Sequence, residues 1–300
     1  MTITTQTQFH IPVMTDEVLN YLLPSETDRK SMIIDATIGG GGHTQAILAH
    51  LKSGIVVGID WDKEAISYVQ ARLSKYTNLY LFQANYTELE KIIKEFPDYT
   101  VRGILFDLGV SCYQLSAAHR GFSYNLAGPL DMRFNQSIPM KIAREIIQYS
   151  SVNELKRIFS EYGEEKNAKK IALQIVNHRN QIKTTVQLAD VIRRAVPHYK
   201  LNKTLARVFQ ALRIVVNNEL MNIKLGLETA IKILADGARL VVISYHSLED
   251  RIAKQIFRSY AQQGVVKILT KKPLRPHKSE ILNNPSARSA RLRAIEKICL

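Results

Sequence analysis

Four consecutive glycines, Gly39 to Gly42, constrain this chain more than any other feature. Ahead of them runs Ile33-Ile34-Asp35-Ala36-Thr37-Ile38, a short apolar stretch carrying an acid. Behind them His43-Thr44-Gln45-Ala46-Ile47-Leu48-Ala49 favours helix. That order reads as strand, tight turn, helix. Glycine admits positive φ and lets a ligand lie against the main chain with no Cβ in the way. At 25 residues past Asp35, the β-branched run Gly54-Ile55-Val56-Val57-Gly58-Ile59-Asp60 ends in a second carboxylate, and a helical pattern follows over residues 64–73. An acid at the tip of the second strand, about 20 residues beyond a glycine turn, is placed to accept hydrogen bonds from ribose hydroxyls. The pair implies a nucleoside-containing ligand at the carboxyl ends of parallel strands.

Details of the turn narrow the ligand. A dinucleotide fingerprint needs a third small residue inside the helix, and the two possible registers put Thr44 or Gln45 there. No G-x-x-x-x-G-K-[ST] run is present, which excludes a P-loop. Asp35 stands before the glycines and suits a ligand with a positively charged amino-acid end, as S-adenosylmethionine has.

Along the chain, His10 to Met14 read as an extended entry because Pro12 disfavours helix at the residue before it. Thr15 is a plausible cap for a short helix. Tyr80-Leu81-Phe82-Gln83-Ala84 is a third strand ending at Asn85-Tyr86, where Tyr86 either stacks on an adenine or packs in the core. Val101 to Asp107 is a fourth strand, again with a carboxylate at its tip. Strands alternating with helices imply βαβ units and a parallel sheet. Asp35, Asp60, Tyr86 and Asp107 all fall where such sheets bind ligands.

Residues 108–133, rich in Gly, Pro, Ser and aromatics, have no period and read as an irregular loop. From 141 to about 226 the pattern is helical without a strand, as in Val208, Ala211, Leu212 and Val215. The sheet resumes at 237–244. Ser247-Leu248-Glu249-Asp250 reads as a capping box for a helix over 251–260, and 265–270 and 290–295 read as two closing strands. The expected division is a core over 1–125, an inserted helical domain on the substrate side over 126–222, and the rest of the core over 223–300.

Charge points to a polyanionic partner. Lys and Arg total 41 against 27 Asp and Glu, a net +14, and residues 251–300 alone hold 12 basic residues against Glu280 and Glu296. Lys271, Lys272 and Arg275 lie in the connection between the closing strands. A solvated charge run is the plainer account; beside a ligand site, contact with a phosphate backbone is the stronger one. Cys112 and Cys299 match no metal spacing and there is no H-E-x-x-H, so no metal is expected, and a reducing cytoplasm fits. Met1 to Phe9 have neither the basic start nor the apolar core of a signal peptide, and no run is long enough to span a bilayer.

Taken together, Asp35-x-Thr-x-Gly-Gly-Gly-Gly-His-Thr44, Gly58-Ile-Asp-x-Asp62, Asp107-Leu-Gly-Val-Ser111, Arg120-Gly-Phe-Ser123, Gly128-Pro-Leu-Asp-Met-Arg133, Arg207-Val-Phe-Gln-Ala-Leu-Arg-Ile214 and Ser244-Tyr-His-Ser-Leu-Glu-Asp-Arg251 resemble the MraW (RsmH) family. The resemblance implies a class I S-adenosylmethionine-dependent methyltransferase, an α/β Rossmann-like fold with a mostly parallel sheet and an inserted all-helical domain. It implies methylation of the exocyclic N4 of a cytidine of bacterial small-subunit rRNA, in the decoding region of the assembled subunit. It also implies cofactor contacts from Gly41, Gly42, His43, Asp60, Tyr86, Asp107 and Gln114. The family loop usually reads Asp-Leu-Gly-x-Ser-Ser-Pro-Gln-Leu-Asp; here Cys112, Tyr113 and Ser116 replace its second Ser, its Pro and its final Asp, and Tyr86 stands where Phe is usual.

Cytosine N4 is a poor nucleophile, its lone pair being delocalised into the ring, and it needs acceptors for its hydrogens. Asp107, Ser111 and Asp131 are the expected sources, though Asp131 is equally placed to pair with Arg133. Arg133 and His246 are candidates for holding RNA or the base edge, with a buried structural role for His246 as the alternative. Two other functions fit parts of the sequence. One is a methyltransferase of this fold acting on DNA or protein, although the [DNS]-P-P-[YFW] tetrapeptide of DNA amino-methyltransferases is absent. The other is a non-catalytic ribosome-assembly factor. Oligomeric state is open.

Overall fold

The computed structural model describes residues 12–23 and 28–299. The expected N-terminal tail, and His10 and Ile11 of the expected entry, lie outside them. Among the described residues seven strands make one sheet: β1 Ser31–Asp35, β2 Ile55–Asp60, β3 Leu79–Gln83, β4 Thr100–Asp107, β5 Arg239–Ser244, β6 Val266–Ile268 and β7 Arg291–Lys297. Their order is β3-β2-β1-β4-β5-β7-β6. The first five run parallel, and β7 lies antiparallel between β5 and β6. The closing strands are thus shifted from 265–270 and 290–295, and the last one enters the sheet ahead of its predecessor.

Burial on both faces explains why these strands read as continuous apolar runs rather than alternating ones. Ile34, Val57, Ile104, Phe106 and Val242 face one side, where they meet Leu227, Ala230 and Ile256. Their neighbours Ile33, Val56, Leu105 and Val241 face the other, against Val18, Leu22, Ile47 and Val69. The alternation is the two-residue period of the strand. After β1 the chain works outward through β2 and β3, then crosses back to place β4 on the other side of β1. That reversal opens a crevice at the carboxyl edge between β1 and β4, the position where ligands bind in doubly wound sheets.

Between β4 and β5 a third buried cluster, from Phe122 to Val216, contains no strand residue. Its helices include Val152–Glu161, Ala168–His178, Thr185–Arg193 and Leu201–Asn217. The next helix, Glu219–Ile233, packs instead against the sheet. The change of partner falls between Val216 and Ile223, and Asn218 (φ 50°) turns the chain there.

The helix after β5 spans Ser247–Gln262, and its cap is His246, not the expected Ser247. Glu249 reaches back to the His246 amide (3.1 Å), while the Ser247 hydroxyl donates to Glu164 (2.6 Å) in the helical cluster. Among the described residues no helix is long and apolar enough to cross a membrane.

Gly128 seats the irregular segment against the helices: its amide donates to Thr185 Oγ1 (3.1 Å) and its carbonyl accepts from the Thr185 amide (3.0 Å). A Cβ at Gly128 would lie 1.8 Å from the Ala118 carbonyl oxygen. Gly128→Ala should therefore lower stability by about 2–3 kcal/mol, seen as a fall in the urea unfolding midpoint.

Candidate active site

The carboxyl edge encloses a cavity of about 500 Å³, a usual size for a small-molecule site. Its floor is the glycine turn. Gly39 (φ 48°) and Gly41 (φ 74°) adopt left-handed backbone that only glycine takes without strain. Gly39, Gly40, Gly42 and His43 line the cavity. Gly41 does not: it caps the helix Gly42–His50, and a Cβ there would meet Val69 at 3.0 Å.

Asp60 braces this turn. Its Oδ2 accepts from the Gly39 amide (2.8 Å) and its Oδ1 from the Asp62 amide (2.9 Å). Enclosure by the protein pushes its carboxyl up to about 7, against the pull of those two amides. Asp35 behaves differently from the expectation. It is 1% exposed and does not line the cavity. Its carboxylate accepts from the Thr44 hydroxyl (2.6 Å) and the Thr37 amide (3.3 Å). Its work is to hold the turn closed, and burial drives its carboxyl upward.

Opposite the turn stands Asp107. Its amide donates to Thr37 Oγ1 (2.6 Å), its Oδ1 accepts from the Tyr245 hydroxyl (2.8 Å), and its Oδ2 is 3.5 Å from His43 Nε2. Both ring nitrogens of His43 are buried without a hydrogen-bond partner among the described residues. Of its two readings, Tyr86 takes the core packing, and its position on the cavity wall leaves the other open. It lines the cavity and also meets Phe106 edge-on at 5.4 Å, with Gly226 clearing space for its ring.

Ser111 and Gln114 form a reciprocal capping box on the short helix Cys112–Ser116, despite the altered residues 112, 113 and 116. Both line the cavity. The Gln114 Nε2 is committed to Asp62 Oδ2 (2.7 Å) and its Oε1 to the Ser111 amide (3.0 Å). Gln114 therefore shapes the wall more than it offers a free polar group.

Asp62 also receives Arg120, 1% exposed, whose Nη1 lies 2.6 Å from Asp62 Oδ2 and 2.7 Å from Glu64 Oε2. Arg120 Nη2 donates to the carbonyls of Arg133 (3.1 Å) and Phe134 (2.9 Å). Of its two readings, Asp131 takes the pairing with Arg133. Its two oxygens take Arg133 Nε (2.9 Å) and Nη2 (2.8 Å), and neither residue lines the cavity. The pair is structural, and Arg133 holds Asp131 below the ordinary carboxylate range despite partial burial.

A second charged wall was not visible from spacing. Arg213 donates Nε and Nη2 to the two oxygens of Glu219 (2.8 and 3.0 Å). Behind them lies Glu249, fully buried, whose Oε1 is 3.9 Å from Arg213 Nη2 and 3.0 Å from His246 Nε2. Burial pushes the Glu249 carboxyl up, but His246, Arg213 and the Tyr245 amide outweigh it and hold it low. Arg213, Glu219 and His246 line the cavity. Glu219, His246 and Glu249 have ligand atoms within 4.8 Å of one another, a metal-capable set that sequence spacing did not show. Arg213 already supplies Glu219 with its cation. The only signals for this wall lay in the runs 207–214 and 244–251, where Arg213 and Glu249 had no assigned role.

Lys271, Lys272 and Arg275 are exposed and outside the cavity lining. Arg291 pairs with Ser244 at the carboxyl end of β5, so the connection that carries them lies at the same edge. Ser286 and Ser289 of that connection reach the cavity wall.

A profile of the MraW methylase family matches residues 7–298. The ribosomal RNA small subunit methyltransferase H of Pseudothermotoga lettingae is 43% identical over 296 residues, covering 96% of this chain and 98% of its own. That of Halothermothrix orenii is 43% identical over 310 residues, with 96% and 98% covered. Among solved structures, an rRNA methylase from Streptococcus thermophilus aligns over 95% of this chain and 94% of its own, with a TM-score of 0.45 and 13% identity.

The buried Arg120 guanidinium gives a direct test of how the wall is held. Arg120→Met strands Asp62 without its main counter-charge and should cost about 3–5 kcal/mol, measured by urea unfolding. An unchanged midpoint would remove Asp62–Arg120 as the joint of the site.

Proposed function

The chain belongs to the MraW methylase family, and from that premise we propose that it methylates the exocyclic N4 of a cytidine in small-subunit rRNA, in the decoding region of the assembled subunit. It is an rRNA methyltransferase that uses S-adenosylmethionine. The observation that carries the reading is one cavity joining a bare glycine turn, the Asp60 and Asp107 carboxylates, and a paired charged wall. The residues fit the methyl donor: Gly39 and Gly40 offer main chain without Cβ, Asp60 stands where ribose hydroxyls would donate, and the buried His43 nitrogens have no hydrogen-bond partner among the described residues.

When bound, S-adenosylmethionine supplies a methyl group activated by a sulfonium. Alignment of the amine within near-attack distance is the protein's main task. The N4 lone pair forms the new C–N bond, the C–S electron pair stays on sulfur, and one N–H proton leaves. We assign that proton to Asp107, which Tyr245 and Thr37 hold in place, with Ser111 shaping the loop beside it. The base must be splayed from its stack to enter. Residues 126–222 form the RNA-facing wall of the core made by 1–125 and 223–300, and Lys271, Lys272 and Arg275 meet the phosphate backbone.

Labelled S-adenosylmethionine, incubated with small subunits lacking the modification, should yield label in N4-methylcytidine. Naked rRNA and duplex DNA serve as controls. Label in DNA or in protein would overturn the reading, and cofactor binding without label in any arm would favour an assembly factor. Asp107→Asn should lower turnover about 100-fold or more.

Asp60 predicts a pH dependence. Its carboxyl stands at about 7 in the free protein against an ordinary 3.8. Between those values the folded chain holds a proton that the unfolded chain has lost, so this group's contribution to stability falls as pH rises. Ribose hydroxyls donate best to the ionised form. Affinity for S-adenosylhomocysteine should therefore rise from pH 6 to 8, and calorimetric titration of Asp60→Asn should show a flat profile.

A further inference from the structure

The Arg213–Glu219 pair is not used by the donor site or by the proton transfer assigned to Asp107. Neither residue comes from the glycine turn or the β2 tip. Arg213 closes the last turn of Leu201–Asn217, and Glu219 opens Glu219–Ile233. Their side chains are 11% and 6% exposed, and both border the cavity. A surface pair would be screened; here the ions are largely dry, so each unmet hydrogen bond is costly.

We propose that Arg213 and Glu219 read the Watson–Crick edge of the target base, with Glu249 and His246 as the layer that fixes them. The inference rests on the cytidine-N4 reading above. A carboxylate accepts at two lone pairs per oxygen, so the contacts with Arg213 leave Glu219 able to accept again. Arg213 uses Nε and Nη2 on Glu219, and its Nη1 has no hydrogen-bond partner among the described residues. The wall therefore offers an acceptor beside a donor.

Cytosine presents a donor at N4 followed by acceptors at N3 and O2. Glu219 takes the N4 hydrogen that is retained, and Arg213 donates toward N3 or O2. Uracil presents an acceptor at position 4, which would set its oxygen against the carboxylate. Repulsion of the wrong base adds to attraction of the right one. Accepting from N4 also raises electron density on the nitrogen that attacks.

Glu249 gives the pair its rigidity. It lies behind the wall, accepts the Tyr245 and His246 amides through Oε2 (2.7 and 3.1 Å), and turns Oε1 toward Arg213 and His246. Arg213 is thereby held between two carboxylates, and its guanidinium cannot swing to a phosphate. Tyr86 lies close enough that Glu219 and Glu249 both raise its hydroxyl pKa, with burial the larger cause. The base edge and the cofactor's aromatic neighbour thus share one wall.

Equilibrium dialysis tests the assignment on the full chain saturated with S-adenosylhomocysteine, using labelled cytidine monophosphate and uridine monophosphate. The wild-type protein should bind the cytidine nucleotide at least about 10-fold more tightly, one good base contact's worth of discrimination. Glu219→Gln should cut that ratio below about 2-fold while S-adenosylhomocysteine affinity stays unchanged. Glu219→Asp keeps the charge opposite Arg213 but withdraws it by one methylene; it should melt like wild type and give an intermediate ratio, and it decides the matter if Glu219→Gln fails to fold. A wild-type ratio in Glu219→Asp, or an equal loss of both nucleotides and of S-adenosylhomocysteine, overturns the assignment and makes the pair a strut between helices. N4-methylcytidine from wild-type protein and subunits would show that the functional reading survives that failure; its absence would remove both.

Discussion

One carboxylate, Asp62, ties together parts of the chain that have little structure of their own. Its Oδ1 caps the helix Lys63–Arg72, while its Oδ2 receives Gln114 and Arg120. Through Gln114 it fixes the short helix after β4, and through Arg120 it reaches the carbonyls of Arg133 and Phe134. Burying a guanidinium is costly unless it is paired and hydrogen-bonded; here two carboxylates take Nη1 and two carbonyls take Nη2, while Nε is buried without a hydrogen-bond partner among the described residues. Phe122 and Phe134 stack beside it at 5.6 Å. The segment between β4 and the helical cluster is thus ordered by polar contacts where regular hydrogen bonding is sparse, and the wall it forms inherits that order from the tip of β2.

The second anchor of the same segment is Asn217, fully buried, which accepts from the Phe134 amide (2.7 Å) and donates to the Met132 carbonyl (2.7 Å). Asn217 stands one helical turn after Arg213 and also bonds its carbonyl (3.0 Å). The left-handed Asn218 then reverses the chain, which is what brings Glu219 back onto Arg213. A stretch of seven residues therefore pins the loop, turns the chain and builds a charged pair on the cavity. Each of these needs the other two, because a looser reversal would separate the ions and strand both in a dry site.

The centre of the sheet was legible because β1, β2 and β4 announce themselves twice, by β-branched runs and by acids at their tips. Roles within the site were harder to read. An acid before a glycine turn looks the same whether it meets a ligand or holds the turn, and Asp35 does the second through Thr37 and Thr44. Ser247 is the better cap by residue type, yet His246 takes the position because Glu164 draws the Ser247 hydroxyl away. Asp131 and Arg133 sit two residues apart in a loop, a spacing that permits pairing without requiring it. The Arg213, Glu219, His246 and Glu249 wall comes from segments that only the fold brings together. Periodicity describes elements singly and is silent about such meetings.

Charge shows the same limit. The last sixth of the chain is strongly basic, but part of that charge is spent internally. Arg293 and Arg291 both hold Asp250 (2.7 and 3.3 Å), and Arg251 reaches Glu164 (3.1 Å). These pairs seal β7 against the helix after β5 and join that helix to the helical cluster. On the connection at the carboxyl edge, Lys271, Lys272 and Arg275 stay exposed. A polyanion approaching that edge meets point charges outside the cavity, whereas the fixed, paired ions lie within it. On the proposed reading, phosphate attraction and base discrimination are carried by different residues. On that reading the exposed cations attract any strand, and only a base that leaves its stack and matches the inner wall has its edge groups satisfied.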